Sequence, residues 1–150
     1  MGIKITKNLN LKKMVPNIGN RYKSNIGVAK IIKSEVVGSI LRGISPVKGH
    51  NQFVKYSKGY AKFKGRSRPV DLLLTGKLLN SLKIRGIRKA SISIAFTNEK
   101  AEYHDGGLGN NPERKMLPSK SGESFKQTIL NNITRAINRI VKDEVIKQNR

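Results

Sequence analysis

The sequence predicts an α+β fold, in which a small antiparallel β-sheet packs against a long C-terminal helix and an N-terminal helix, with a long basic loop insertion. Three observations carry this expectation. Ser91–Thr97 alternates, with Ile92, Ile94 and Phe96 on one face and Ser91, Ser93 and Ala95 on the other, the period of a half-buried strand. From Ser121 onward, apolar residues fall at 125, 129, 133, 136, 137, 140, 141 and 145, the stripe of an amphipathic helix. Between Ile26 and Leu41 they fall at 28, 31, 32, 36, 37, 40 and 41, again one helical face.

Residues 1–25 carry Gly, Asn and Lys with little periodicity and read as an extended or loosely attached arm. Residues 26–150 then form one domain, the usual content of a chain of this length. The N-terminal helix is expected near 26–42, with Gly43 as its C′ residue and Pro46 shortly beyond. Residues 45–70 lack a sustained period and read as a basic loop, a length that in a compact domain is usually functional or disordered. Thr75 can cap a short helix through Ser81, or Gly76 can mark a turn. Ser81–Arg88 reads as a strand with Leu82 and Ile84 on one face, joined through Arg88-Lys89-Ala90 to the next strand as an antiparallel hairpin. Ala101–His104 is expected to add a short strand or turn. Asp105–Pro112, with three Gly, two Asn and a Pro, is a loop. The C-terminal helix is expected near 122–146, with Ser119 or Ser121 as N-cap, Glu123 at the positive end of its dipole, and its stripe packed across the hairpin.

The 150 residues include no cysteine and carry a formal net charge of +22. Disulfides, thiolate metal sites and cysteine nucleophiles are thereby excluded. The charge is uneven: residues 1–70 hold 16 Lys/Arg against one acidic residue, Glu35. A cationic face of this size calls for an anionic partner or full solvation. No apolar run approaches the ~18 residues of a membrane span, and Met1–Thr6 is too polar for a secretory signal.

Candidate chemical motifs are few. Thr75-Gly76-Lys77 lacks the frame of a phosphate-binding loop, since Asp71 and Leu78 stand where Gly and Ser/Thr are needed; a capped turn explains it better. The two histidines, His50 and His104, have no set of companions at metal-ligand spacing, and no nucleophile elbow occurs. Neither a catalytic site, a metal site nor a cofactor is expected. The segment from Phe53 to Arg68 interleaves Phe53, Tyr56, Tyr60 and Phe63 with Lys55, Lys58, Lys62, Lys64, Arg66 and Arg68. Single-strand stacking platforms have this composition, and so do oligomer arms that anchor aromatics on a neighbour. The cations of the basic stretch are too dense to bury unpaired, so residues 48–68 are expected to lie outside the core. The Asp105–Pro112 loop suits either simple connection or docking on a neighbouring subunit.

The order of four segments resembles the virion-morphogenesis family of tailed bacteriophages, their head–tail connector, neck or tail-completion proteins. The segments are Ser45-Pro46-Val47-Lys48-Gly49, Leu74-Thr75-Gly76-Lys77-Leu78-Leu79-Asn80-Ser81-Leu82, Ala101-Glu102-Tyr103-His104-Asp105-Gly106-Gly107, and Pro112–Pro118 before the final helix. The insertion at 48–70 is longer and more basic than in compact members. The resemblance implies a non-enzymatic structural virion protein made in the host cytoplasm. Its subunits would form a homo-oligomeric ring, six- or twelve-fold, joining the portal or adaptor to the tail around the DNA path, with no membrane contact. On this reading Lys48, Phe53, Lys55, Tyr56, Lys58, Tyr60, Lys62, Phe63, Lys64, Arg66 and Arg68 are candidate contacts to a neighbouring subunit, another partner or DNA in the lumen. Tyr103, His104, Asp105, Arg114 and Lys115 are the candidate intersubunit loop. The alternative is a free basic nucleic-acid-binding protein.

Overall fold

The computed structural model of the chain describes residues 6–10, 22–66, 69–73, 75–88 and 91–149. In chain order the elements are β1 (Thr6–Asn10), α1 (Tyr22–Leu41), α2 (Lys58–Lys64), α3 (Lys77–Asn80), β2 (Leu82–Arg88), β3 (Ser91–Phe96), α4 (Lys100–Asp105) and α5 (Gln127–Gln148). The fold is α+β, as the periodicities predict.

The sheet has the order β1-β3-β2 and is antiparallel throughout. β3 lies at its centre because it carries the continuous apolar face: Ile92, Ile94 and Phe96 are buried. Ala95, on the opposite face, is buried as well. β2 pairs Leu82 with Phe96 and Ile84 with Ile94, and the register then shifts at a bulge between Ile84 and Gly86. The bulge and the exposed Lys83 and Arg85 sit on an edge strand, where such features discourage pairing with foreign strands. The link through residues 89–90 lies outside the described residues. Within the expected N-terminal arm, Thr6–Asn10 pairs with β3 from Thr6↔Ala95 to Asn10↔Ser91, so part of the arm is a sheet strand; residues 1–5 and 11–21 lie outside the description.

α1 rests on β2 and β3, and α5 packs chiefly along α1. The two helices run antiparallel, for Ile140 meets Gly27 while Asn132 bonds Glu35 at 3.1 Å. Val28, Ile32, Val36 and Ile40 of α1, Ile129, Ile133 and Ile137 of α5, and the inward face of the hairpin join one buried cluster. Burying each such aliphatic side chain contributes about 1.5–3 kcal/mol. Val145, the last member of the expected stripe, is exposed, because α5 runs beyond the core.

Three local expectations are corrected. α5 begins at Gln127 with Lys126 as its N-cap and no side-chain cap, later than expected, because residues 124–126 are extended. They pair with residues 46–48 through Lys48 N–H to the Ser124 carbonyl and Lys126 N–H to the Pro46 carbonyl, both 2.9 Å. Glu123 therefore sits in a turn, where its carboxylate accepts from Lys120 N–H. Residues 100–105 form a helix rather than a strand, burying Ala101 and Asp105 one turn apart. The basic loop contains α2, capped by Ser57, whose Oγ accepts from Tyr60 N–H at 3.3 Å. Gly43 ends α1 as expected, at φ 72°. It also needs to be glycine because a Cβ there would lie 2.9 Å from Val70 N.

Candidate binding cleft and its charged supports

Two buried carboxylates organise the surface on which the sequence-predicted residues meet. Asp105, at the end of α4, is 4% exposed and Lys115 is 1% exposed. Lys115 Nζ reaches Asp105 Oδ2 at 2.8 Å, and also Glu123 Oε1 at 3.2 Å and Ser119 Oγ at 3.3 Å. The other oxygen, Oδ1, accepts from the backbone N–H groups of Met116 (2.7 Å) and Leu117 (3.1 Å). Burial opposes the charged ammonium, but Asp105 and Glu123 outweigh it and hold the Lys115 pKa above the ordinary lysine value. Ser45 Oγ donates to the Lys115 carbonyl at 2.6 Å. The Asp105 carboxylate thus ties the segment at 101–107 to that at 112–118, and the Lys115 carbonyl in turn receives Ser45 of the segment at 45–47. Gly107, at φ 65°, permits the close pass, since a Cβ would lie 2.9 Å from Glu113 N. Asp105 and Lys115 were expected in an intersubunit loop. They are instead engaged with each other inside the fold, because each charge needs the other once both leave water.

The second carboxylate is Asp71, which is also buried. It is ion-paired with Lys64 and with Arg66, and accepts from Tyr56 Oη at 3.3 Å and Leu73 N–H at 3.1 Å. Burial would raise the Asp71 pKa, yet the hydrogen bonds from Lys64 and Leu73 and the charges of Lys64 and Arg66 hold it below the ordinary value. Burial likewise disfavours the Lys64 charge, and Asp71 and Tyr56 reverse that effect. Tyr56 Oη accepts from Lys64 Nζ at 3.0 Å and from Leu72 N–H at 3.1 Å. Leu72 is held at φ 52°, a left-handed conformation that costs a non-glycine residue of order 1–3 kcal/mol.

The expected exterior position of residues 48–68 therefore holds only in part. Phe53 is 3% exposed and belongs to the core, pinned there by its N–H to the Gly43 carbonyl at 2.8 Å. The Lys64 side chain is 6% exposed against Asp71. Burial of these groups is possible because one is apolar and the other is paired. Lys48, Lys55, Lys58 and Lys62 are exposed, Tyr60 sits at the surface, and Phe63 is 73% exposed. Arg68 lies outside the described residues.

Between α2, α3 and the loop before Pro112 lies a cleft of ≈ 560 Å³. It brings together Lys55, Tyr56 and Tyr60 from the basic segment with His104 and Arg114 from the second candidate set. Arg114 is buried and fixes the wall: its Nε donates to the Val54 carbonyl at 3.1 Å, and its NH2 to the Lys55 carbonyl at 3.4 Å. Its NH1 lies 3.4 Å from His104 Nδ1. A guanidinium can only donate, so Nδ1 accepts and the imidazole is neutral with its proton on Nε2. Burial, Arg114 and Lys100 together push the His104 pKa down to about 4. Burial also draws the Arg114 pKa down, against the pull of Tyr56 and Tyr60. The Arg114 guanidinium carbon and Lys64 Nζ lie 5.5 and 4.8 Å from the Tyr56 ring centroid, and Tyr60 packs edge-on at 4.8 Å.

Sequence reasoning missed Lys77, Asn98, Lys100, Asn110 and Asn111, which complete the cleft, and it missed Asp71. A signal for Asp71 was present: it follows 70 residues with a single acidic side chain, so a cation beside it was to be expected. Tyr103 remains exposed on α4. Among the described residues, no group of three or more His, Asp or Glu is placed to hold a metal ion, and no helix is long and apolar enough to cross a membrane. Comparison with protein-family models, curated proteins and solved structures finds no match to this chain.

Proposed function

We propose that the chain is a non-enzymatic assembly subunit, a neck or tail-completion protein of a tailed-phage virion that joins neighbours through its basic, aromatic segment. The observation that carries this reading is α2. Before Lys64 none of its residues is buried; it presents Phe63 to solvent at 73% exposure beside Lys58 and Lys62, and it is anchored at its C-terminal end by the Lys64–Asp71 pair. An exposed phenylalanine on a braced cationic helix suits insertion into a neighbour whose surface is apolar and acidic. Support also comes from the four segments that carry the family resemblance. Three of them converge on Asp105 and Lys115, and the fourth supplies the buried Leu78, Leu79 and Leu82, so together they frame the domain. His104 contributes positioning on this account, since a neutral imidazole engaged at Nδ1 is a poor proton acceptor at neutral pH.

Native mass spectrometry of the purified chain, alone and with any portal and tail proteins from the same genome, tests the proposal. A closed oligomer or a stoichiometric complex, lost in Phe63→Ser while the melting temperature stays put, is the expected result. A monomer with every neighbour, binding duplex DNA with a steep salt dependence of slope about −0.9 per phosphate neutralised, would favour the free nucleic-acid-binding protein.

A further inference from the structure

The cleft is lined by four cations, Lys55, Lys77, Lys100 and Arg114, and by no carboxylate. Arg114 is committed to the wall. The ion pairs that form among the described residues centre on Asp71, Asp105 and Glu123, and none engages the ammonium groups of Lys55, Lys77 or Lys100. With His104 neutral, nothing in the lining offsets this charge, and a concave, partly water-excluding wall concentrates its field on whatever anion enters. The volume, ≈ 560 Å³, falls within the range of sites that enclose a small ligand or a short chain segment, about 300–1,000 Å³.

We propose that this cleft binds an acidic peptide segment of a partner protein, its carboxylates reaching Lys55, Lys77 and Lys100 and its backbone amides meeting Asn98, Asn110 and Asn111. Two features favour a peptide over a nucleic acid, one against its phosphates and one against its bases. Asn98 Oδ1 already accepts from Lys100 N–H at 3.0 Å and Asn111 Nδ2 already donates to the Leu108 carbonyl at 3.2 Å, yet the three side-chain amides together still offer both donors and acceptors, the combination a peptide group satisfies, whereas a phosphate takes donors alone. The Tyr56 ring already carries two cations and the edge of Tyr60, so it is not a free platform for base stacking. Which protein supplies the segment rests on the assembly reading. Binding itself is a property of the isolated subunit, so failure of either can be told from failure of the other.

The test is fluorescence anisotropy with a labelled hexapeptide, Gly-Asp-Glu-Gly-Asp-Glu, in about 150 mM salt, where exposed charges are screened beyond about 8 Å. Its Asn/Gln isostere and a six-nucleotide oligothymidine serve as competitors. Lys77→Glu with Lys100→Glu is compared with Lys83→Glu with Lys142→Glu, exposed lysines outside the cleft; both double variants have the same net charge, and thermal melts check their folding. The cleft pair should weaken peptide binding by at least about tenfold, the control pair by under about twofold, and the isostere should not compete. Equal weakening by both pairs would show only generic attraction and overturn the site. Absence of peptide binding to the wild type, or an oligonucleotide that outcompetes the peptide through the same two lysines, would overturn it as well.

Discussion

Replacing Asp105 isolates what the buried ion pair contributes. In Asp105→Asn, Lys115 keeps Glu123 at 3.2 Å and Ser119 at 3.3 Å but loses its buried counter-charge. The asparagine oxygen can still accept from Met116 and Leu117. Breaking a buried pair by removing one partner costs roughly 3–5 kcal/mol, and the remaining contacts place this variant near the lower end. Asp105→Ala also strands two backbone N–H groups, each costing about 1–3 kcal/mol when buried and unsatisfied, and should be distinctly worse. Lys115→Met leaves a carboxylate that still accepts from two N–H groups, so its loss should not exceed that of Asp105→Ala. Because the two charges are in contact, the Asp105→Asn, Lys115→Met double variant should lose less than the sum of the singles, by about 1–3 kcal/mol. Urea denaturation followed by circular dichroism reads these differences. Near this chain length each kcal/mol shifts the melting temperature by about 2–4 °C, so Asp105→Asn should melt roughly 6–12 °C lower. Additive singles, or an Asp105→Ala variant as stable as the wild type, would refute the claim that this carboxylate holds the segments at 101–107 and 112–118 together.

Three further outcomes follow from the same contacts. His104 binds a proton more readily unfolded than folded, its pKa falling from 6.5 to about 4, so its contribution is complete above pH 6.5 and is lost as pH falls through about 4. Allowing for its solvent contact, this is about 1–2 kcal/mol; between pH 7 and pH 4 the wild type should lose about that much more stability than His104→Asn, and parallel curves would contradict the assignment. Ile133→Asp or Ile137→Asp puts an unpaired charge among residues with no solvent exposure and should cost several kcal/mol, about 3–5 by analogy with broken buried pairs. A melt within a degree of wild type would mean that face is not core. Gly107→Ala combines a positive φ with a 2.9 Å approach to Glu113 N and should lower the melting temperature by several degrees, whereas Gly59→Ala in α2, where a Cβ meets nothing, should leave it level or slightly higher.

The fold was legible where one side of an element faces the core for several turns or residues. β3 alternates because Ile92, Ile94 and Phe96 share a face, and α5 shows its stripe because Ile129, Ile133 and Ile137 do. The start of α5 was misread for a physical reason: Phe125 continues the helical spacing, but its backbone pairs with Val47, a long-range bond that no local pattern records. α4 is too short for a period to show, and its helical buried pair, Ala101 and Asp105, reads as apolar plus polar until the role of Asp105 is known. β1 has one apolar residue in five and is recruited as a strand by the free edge of β3. The site was half legible. Its aromatics and cations stood out by composition, but which cations are buried depends on Asp71 and Asp105, whose partners lie five to ten residues away along irregular chain. Lys77 and Lys100 gave no sign at all, because surface lysines look alike until a cleft forms between them.

The proposed function, a subunit built into the neck of a virion through its basic segment, is tested most directly on any tailed-phage particles produced from the genome that carries the coding sequence. Cryo-electron microscopy of the head–tail junction, with mass spectrometry of the same purified particles, should find the chain in multiple copies and a ring of density that accepts this fold, with α2 against a neighbouring subunit. Intact, infectious particles that lack the chain would contradict the account.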